Sequence, residues 1–109
     1  MSASNELTRK IIEFIHSSGS FAWRASSVGL YDSSKNIHRT APKKGVSDVL
    51  GIIAPSGRTL AVEIKIGKDR LSDEQTGFLA NIEHYGGLSF VAKDFDSFVN
   101  FWQNTVKGG

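Results

Sequence analysis

Residues 46–66 read VSDVLGIIAPSGRTLAVEIKI. The apolar run 46–54 and the alternating run 59–66 are typical of two β-strands, and the Pro-Ser-Gly sequence between them is typical of a turn. In the second run the apolar residues lie on one face and Glu63 and Lys65 on the other, because side chains alternate along a strand. This stretch therefore predicts a β-hairpin that carries a charged pair on one side.

The position of Asp48 relative to the turn is the second informative feature. Asp48 lies eight residues before Ser56 and Glu63 lies seven after it, so a hairpin folded about Ser56 places Asp48 opposite Glu63-Ile64-Lys65. Two carboxylates and an amine at one sheet edge are the minimum set for holding a divalent metal beside water and a phosphodiester. A Glu-x-Lys triplet alone is usually a solvated surface pair, whereas a carboxylate beside buried strands is costly without a partner. The combination predicts a metal-dependent nuclease.

Phosphodiester cleavage gives each of these groups a role. A cation must neutralise the phosphate and lower the pKa of its bound water, and Asp48 and Glu63 are the candidate ligands. Magnesium takes few protein carboxylates, so the backbone carbonyl of Ile64 would complete the site. Lys65 would orient the attacking water or stabilise the charge that develops on the phosphate. The histidines, at positions 16, 38 and 84, show no spacing that indicates a zinc site.

Composition limits the class of protein. The chain has 109 residues, of which 39% are hydrophobic and 22% charged, which predicts a single globular domain over residues 1–109. It has no cysteine, which excludes disulfides and cysteine-based zinc sites. No apolar stretch approaches the roughly 20 residues of a membrane span, and residues 1–4 lack the features of a signal peptide. We therefore expect a cytoplasmic protein without membrane association.

The remaining segments predict short elements around the hairpin. Helical spacing of apolar residues indicates a first helix over 5–18 with a cap at Ser4. Ser72 and Gln75 fit a capping box at the start of a second helix. The apolar residues after Asp94 recur at helical spacing and are expected to face the core. The predicted order is helix (5–18), strand (20–25), loop (26–45), the two hairpin strands, helix (to about 85), strand (88–92) and a last helix.

Basic residues concentrate in the predicted loop, which holds a single acid, Asp32. Two interpretations stay open for it: a solvated mobile loop, or a surface that tracks DNA phosphates. Two more cations directly follow the second hairpin strand and would flank the scissile phosphate. No residue indicates base-specific reading, which favours recognition of DNA by shape. The candidate nucleic-acid-binding residues are Arg24, Lys35, Arg39, Lys43 and Lys44 in and beside the loop, and Lys68 and Arg70 after the strand.

Four motifs together resemble the VRR-NUC domain, a branch of the PD-(D/E)xK nuclease superfamily. They are Gly45-Val46-Ser47-Asp48, Glu63-Ile64-Lys65, Leu71-Ser72-Asp73-Glu74-Gln75 and Gly86-Gly87. The resemblance covers nearly the whole chain, whose small size is similar to that of stand-alone phage and bacterial members. It implies an α/β, restriction-endonuclease-like core: a small mixed central sheet flanked by helices in the order α-β-β-β-α-β-α. It also implies a Mg²⁺ or Mn²⁺ site and homodimers that act on branched DNA such as Holliday junctions.

The resemblance also implies roles by position, and two of these have alternatives. Gln75 could instead close a capping box. Glu6, an acid in the first turn of a helix, could instead interact favourably with the helix dipole and have no catalytic role. Ser47 stands where the family often has proline, which affects local rigidity and not the ligands. In the implied site Asp48 and Glu63 are metal ligands, the Ile64 carbonyl is an assisting ligand and Lys65 is the catalytic lysine. Gln75 and Glu6 complete the implied site.

Three functions remain open at this point. The first is a structure-selective endonuclease that resolves four-way DNA junctions. The second is a nuclease that cuts flaps, nicks or linear duplex, which would differ in its products and not in its active-site residues. The third is a non-catalytic nucleic-acid-binding module, although such a module has no need to hold Asp48 and Glu63 near phosphates, which both carboxylates repel.

Overall fold

The computed structural model describes residues 2–26, 31–32, 37–38 and 45–107. A four-stranded mixed sheet lies between helices, which confirms the predicted α/β class. Among the described residues, no helix combines the length and the apolar character needed to cross a membrane. In chain order the elements are α1 (Ala3–Ser17), β1 (Phe21–Arg24), β2 (Tyr31–Asp32), β3 (Ile37–His38), β4 (Val49–Ile53), β5 (Arg58–Ile64), α2 (Asp73–His84), β6 (Leu88–Ala92), α3 (Phe95–Phe101) and a π-helical segment (Trp102–Val106).

The sheet has the strand order β1-β4-β5-β6, and its neighbours are antiparallel except for the parallel pair β5–β6. β4 and β5 form the predicted hairpin, in which Val49 faces Val62. Gly57 in its turn has a φ of +79°, a left-handed conformation that glycine adopts without strain. Continuing the register by one residue sets Asp48 opposite Glu63. The relationship predicted from the turn position is therefore confirmed.

One face of the sheet carries the hydrophobic core. The side chains of β5 that alternate onto this face are at most 6% exposed and pack against the apolar side of α1. α3 and the following segment add Phe98 and Trp102, which are buried. Phe14 of α1 meets both rings edge to face, with centroids 5.9 and 5.8 Å away, a favourable aromatic geometry. The aromatic residues of the last helix are core residues, as predicted.

The opposite face of the sheet is covered unevenly. α2 packs against β5 and β6, and the approach is close at Gly87, where a Cβ would lie 2.7 Å from Ile82 Cγ2 and 2.8 Å from the Thr59 carbonyl oxygen. On β1 and β4 the same face leaves Phe21 and Trp23 among the most exposed large hydrophobic side chains of the described residues. Among the described residues, Glu63 and Lys65 at the end of β5 therefore have a helix, α2, on one side of them only.

Three local features differ from the sequence prediction. α1 starts at Ala3 and its cap is Ser2, whose hydroxyl accepts the Asn5 N–H at 3.1 Å, so Ser4 lies inside the first turn. Residues 26–45, predicted mostly as loop, contain the antiparallel pair β2–β3, whose two-residue strands are too short to show alternation. α3 continues into a π-helical segment, a widened turn that leaves no separate mark in the apolar spacing.

Candidate active site

Asp48 is held by hydrogen bonds from two neighbouring strand ends. Its Oδ2 accepts the Ile64 N–H at 2.8 Å, and its Oδ1 accepts the Ser26 hydroxyl at 3.0 Å. β4 begins only at Val49, so the carboxylate supplies the acceptor that a further residue of β4 would otherwise provide for Ile64. Its backbone carbonyl accepts the Ala25 N–H at 2.9 Å and extends the β1–β4 ladder. Both oxygens are oriented, and each keeps a lone pair for another ligand.

Glu63 lies opposite Asp48 and is 2% exposed. Its Oε1 accepts a hydrogen bond from Nε2 of Gln75 at 3.4 Å. Its Oε2 is buried and has no hydrogen-bonding partner among the described residues. Buried polar atoms without a partner are rare in folded proteins, because each costs about 1–3 kcal/mol. Oε2 is therefore the described polar atom that a further partner would stabilise most.

The electrostatic environment of Glu63 also favours a bound cation. Burial and, second, the neighbouring Asp48 carboxyl raise the pKa of Glu63 to about 9, against a smaller opposing effect of Lys65. Without a cation, the folded chain therefore disfavours the charged form of this carboxyl. A cation between the two carboxyl groups would favour the charged form and satisfy Oε2, because it replaces repulsion between like charges by attraction.

Gln75 takes part in both arrangements that the sequence left as alternatives. Its backbone N–H donates to the Ser72 hydroxyl at 3.1 Å, and its side-chain Oε1 accepts the Ser72 N–H at 2.9 Å, which together form a capping box. The other end of the same amide, Nε2, donates to Glu63. Capping and contact with the candidate ligand coexist because the amide has a separate acceptor and donor.

The segment before Asp48 packs directly on the first turn of α2. Gly45 has a φ of +82°, and a Cβ there would lie 2.4 Å from the Glu74 carbonyl oxygen and 2.9 Å from the Gln75 nitrogen. Only glycine allows this approach. Ser47, which stands at the family's frequent proline, is buried, and its hydroxyl donates to the Val49 carbonyl at 2.9 Å. A hydrogen bond thus restrains the chain where a proline ring would.

A basic cleft of about 860 Å³ lies beside the end of β5. The parallel register pairs Ile64 with Ala92, and the Lys65 N–H donates to the Ala92 carbonyl at 2.9 Å. This register brings Lys93 next to Lys65, a neighbour that the sequence analysis did not single out. One acid, Asp69, lies in the lining. The basic residues of the cleft are Lys65, Lys68, Arg70 and Lys93.

The other residues singled out from the sequence have different environments. Glu6 pairs with Arg9 on the surface of α1, and the hydrogen bond from Arg9 lowers the pKa of Glu6. Arg24 donates from Nη1 to Asn5 Oδ1 at 3.2 Å, so its head group lies beside α1. The sequence analysis did not identify Ser26 as a partner of Asp48, because this contact depends on how far the β1–β4 pairing continues past the end of β1. Four loop candidates, Lys35, Arg39, Lys43 and Lys44, lie outside the described residues.

The donor groups fit a small divalent cation such as Mg²⁺. The N–H and carbonyl of one strand residue face the same neighbour, so the Ile64 carbonyl lies on the side of β5 from which its N–H reaches Asp48. Within residues 2–26 and 45–107, no three His, Cys, Asp or Glu side chains gather into a ligand cluster. A cation here would rely on Asp48, Glu63, a backbone oxygen and water, a ligand set typical of Mg²⁺.

The fold is similar to that of a solved structure described as a VRR_NUC domain protein. The TM-score is 0.61 at 19% sequence identity, over 99% of this chain and 91% of that chain. No curated protein matches the chain. The model of the VRR-NUC domain family matches residues 31–94, which is more than half of the chain and contains Asp48, Glu63, Lys65 and Gln75. The chain therefore belongs to the VRR-NUC family, a nuclease-type domain with a restriction-endonuclease-like α/β core.

Proposed function

We propose that this protein is a metal-dependent, structure-selective DNA endonuclease that hydrolyses phosphodiesters and resolves four-way junctions. The observation that carries the proposal is the buried Oε2 of Glu63 opposite Asp48, which has no hydrogen-bonding partner among the described residues. A purely structural pair of carboxyl groups would be expected to bury donors next to every oxygen. Within the described part of the chain, donors reach both oxygens of Asp48 and one oxygen of Glu63, and the remaining oxygen is open to a ligand.

Each nearby group has a part in the proposed reaction. Asp48, Glu63 and the Ile64 carbonyl hold Mg²⁺ or Mn²⁺, which when bound would neutralise phosphate charge and make water a better nucleophile. Water attacks phosphorus, the bond from phosphorus to the leaving oxygen breaks, one proton of the water passes to solvent, and the leaving oxygen takes up a proton from solvent. The Lys65 ammonium donates to the water or to a non-bridging oxygen as charge develops. Gln75 keeps Glu63 in position.

The basic cleft supports a polyanionic substrate. Its four cations face one acid, Asp69, and cationic side chains contact phosphates without regard to base sequence. Lys68 and Arg70 are exposed and lie shortly after the end of β5, the strand that carries Glu63. Phosphates on either side of the scissile bond would therefore be held independently of sequence, which favours selection by DNA structure.

The junction and the homodimer are linked parts of the proposal. A symmetric dimer places two copies of a site in opposed orientation, as paired incisions across a four-way junction require. Cleavage of flaps, nicks or linear duplex would use the same residues and needs only one site. Oligomeric state and product pattern together separate these two activities.

Cleavage assays with labelled junction, flap and linear duplex DNA test the proposal. We expect paired incision of the junction with Mg²⁺ or Mn²⁺, none with EDTA, and a loss of roughly 100-fold or more in kcat for Glu63→Gln and Lys65→Ala. The matched controls are Glu13→Gln, whose side chain is 63% exposed on α1, and Lys107→Ala, which lines a different cleft.

Each alternative has its own signature in these assays. Binding of DNA without incision in any metal would identify a non-catalytic module. Equal cutting of all three substrates would leave the nuclease in place and remove the junction preference. Full activity in Glu63→Gln would overturn the assigned mechanism, because this substitution removes the charge that a cation would balance. Sedimentation of the wild type tests the dimer independently of activity.

A further inference from the structure

An exposed apolar strip crosses β1 and β4 on the sheet face that carries Glu63. Phe21, Trp23 and Ile52 are 59%, 40% and 38% exposed. Phe21 pairs with Ile52, and Trp23 pairs with the half-buried Leu50. Residues two apart on a strand share a face, so these four side chains form one continuous surface, which we call the aromatic strip. The Phe21 and Trp23 rings lie with their centroids 5.3 Å apart.

The aromatic strip leads to the candidate active site. Along β4, Ile52, Leu50 and Asp48 follow one another on the same face, at roughly 7 Å for each two-residue step. Along β1, the step after Trp23 is Ala25, whose N–H donates to the Asp48 carbonyl. Measured along β4 from Asp48, the strip therefore starts at about 7 Å, at Leu50, and ends at about 14 Å, at Ile52.

The surroundings of the strip are compatible with nucleic acid. A shallow cleft of about 350 Å³ beside Phe21 and Ile52 is lined by residues without charged side chains, so no carboxylate in that lining would repel a phosphate. The basic cleft at Lys65 lies beyond Glu63 in the sheet order β1-β4-β5-β6. A DNA strand that runs from the basic cleft past Asp48 and Glu63 would therefore reach the aromatic strip.

A second copy of the chain is a poorer occupant of this surface. A whole aromatic side chain presents about 150–250 Å², so these partly exposed side chains offer on the order of 300 Å². A stable protein–protein interface buries about 800 Å² on each partner, so the aromatic strip alone would supply less than half of such an interface. A nucleobase needs only the face of one ring. The Trp23 ring is 40% exposed, and the Phe21 ring is 59% exposed although His16 stacks on it with the centroids 6.1 Å apart.

We propose that the aromatic strip binds unpaired nucleobases of the DNA substrate by stacking on Phe21 and Trp23. The proposal rests on the nuclease function proposed above and adds a substrate feature to it. Stacking tolerates every base, because each base has a π-face. Bases at a branch or in a single strand are free to stack, whereas bases in a continuous duplex must first be flipped out. The strip therefore favours DNA with unpaired bases beside the scissile phosphate.

Binding measurements in EDTA test the strip without depending on cleavage. The probes are a fluorescently labelled dT12 oligonucleotide and a twelve-unit oligonucleotide of the same backbone without bases. We expect wild type to bind dT12 roughly 5- to 150-fold more tightly for each stacked base. Trp23→Ala should lose most of this preference, and Tyr85→Ala, which removes a ring that is 83% exposed, should keep it.

Unlabelled oligonucleotides give a readout that needs no variant. The chain has two tryptophans, and Trp102 is only 4% exposed, so quenching by dT12 reports Trp23. Quenching by dT12 and not by the abasic oligonucleotide supports stacking. Equal affinity for both probes, no binding of either, an unchanged preference in Trp23→Ala, or a dimer that dissociates in Trp23→Ala would overturn the proposal. Cleavage that persists in any of these cases leaves the nuclease function standing.

Discussion

The side-chain amide of Gln75 connects the start of α2 to the buried carboxyl group of Glu63. Its Nε2 donates to Glu63 Oε1 at 3.4 Å, while its Oε1 accepts the Ser72 N–H at 2.9 Å. The amide is therefore held at both ends and presents a fixed donor to Glu63. Since Gly45 packs on the same helical turn, the segment that leads to Asp48 and the residue that orients Glu63 share one support.

Ser72→Ala and Gln75→Ala should separate the capping role from the site role. Ser72→Ala removes the acceptor for the Gln75 N–H and should lower the free energy of unfolding by about 1 kcal/mol, with kcat nearly unchanged, because the Gln75–Glu63 contact remains. Gln75→Ala should also lower kcat or metal affinity by roughly 10- to 100-fold, as expected for a partner of a ligand. Urea unfolding and cleavage kinetics measure the two effects, and an equal fall of kcat in both variants would contradict the separation.

The hairpin and the opposed positions of Asp48 and Glu63 were predictable because their information is local. The turn at residues 55–57 and the alternation of β5 set the register, and the register sets Asp48 opposite Glu63. The capping box was also local, since Ser72 and Gln75 are neighbours on one helical turn. Sequence spacing posed capping and a place in the site as alternatives, and the structure shows the capping contacts together with a contact to Glu63, because the amide's two ends point to different partners.

The features that were missed depend on distant parts of the chain. Lys93 becomes a neighbour of Lys65 only when β6 pairs in parallel with β5, and no pattern near residue 93 specifies that register. Ser26 reaches Asp48 across 22 positions, a contact set by the placement of β1 at the sheet edge. The aromatic strip follows from the same cause, because its exposure depends on which strands α2 covers.

Glu63→Gln should stabilise the metal-free protein increasingly as the pH rises. The pKa of Glu63 is raised from 4.5 to about 9 in the folded state. Between these values the unfolded chain has lost a proton that the folded chain retains, so the stability of the wild type falls as the pH rises through this window. Glutamine does not ionise and escapes that loss.

Thermal unfolding in EDTA near pH 5, 7 and 8.5 checks this dependence. The Tm of Glu63→Gln minus that of wild type should be small at the lowest pH and largest at the highest. Glu13→Gln, an exposed substitution on α1, sets the baseline for removing one carboxyl group. A Tm difference that stays constant across the three conditions would show that Glu63 ionises normally in the folded protein.

Gly45→Ala should destabilise the protein more than Gly19→Ala does. Both glycines have positive φ, +82° and +89°, so each substitution costs about 1–2 kcal/mol in backbone strain. At Gly19 a Cβ meets nothing within 4 Å, whereas at Gly45 it meets the Glu74 carbonyl at 2.4 Å. The collision should add roughly 1–3 kcal/mol. Urea unfolding of both variants gives the comparison, and equal losses would mean that the first turn of α2 moves aside freely.

Lys93→Ala should weaken DNA binding more than it slows chemistry. Lys93 lines the basic cleft next to Lys65, and each side chain that contacts a phosphate steepens the linear fall of log affinity with log salt concentration. The slope of log affinity against log salt should therefore fall by about 1, and KM should rise with kcat little changed. Lys107→Ala removes an exposed charge beside another cleft and should leave the slope and KM as in wild type. If Lys93→Ala instead lowers kcat at unchanged KM, the ammonium acts on the reacting phosphate itself, and Lys65 is not the only lysine that serves the chemical step.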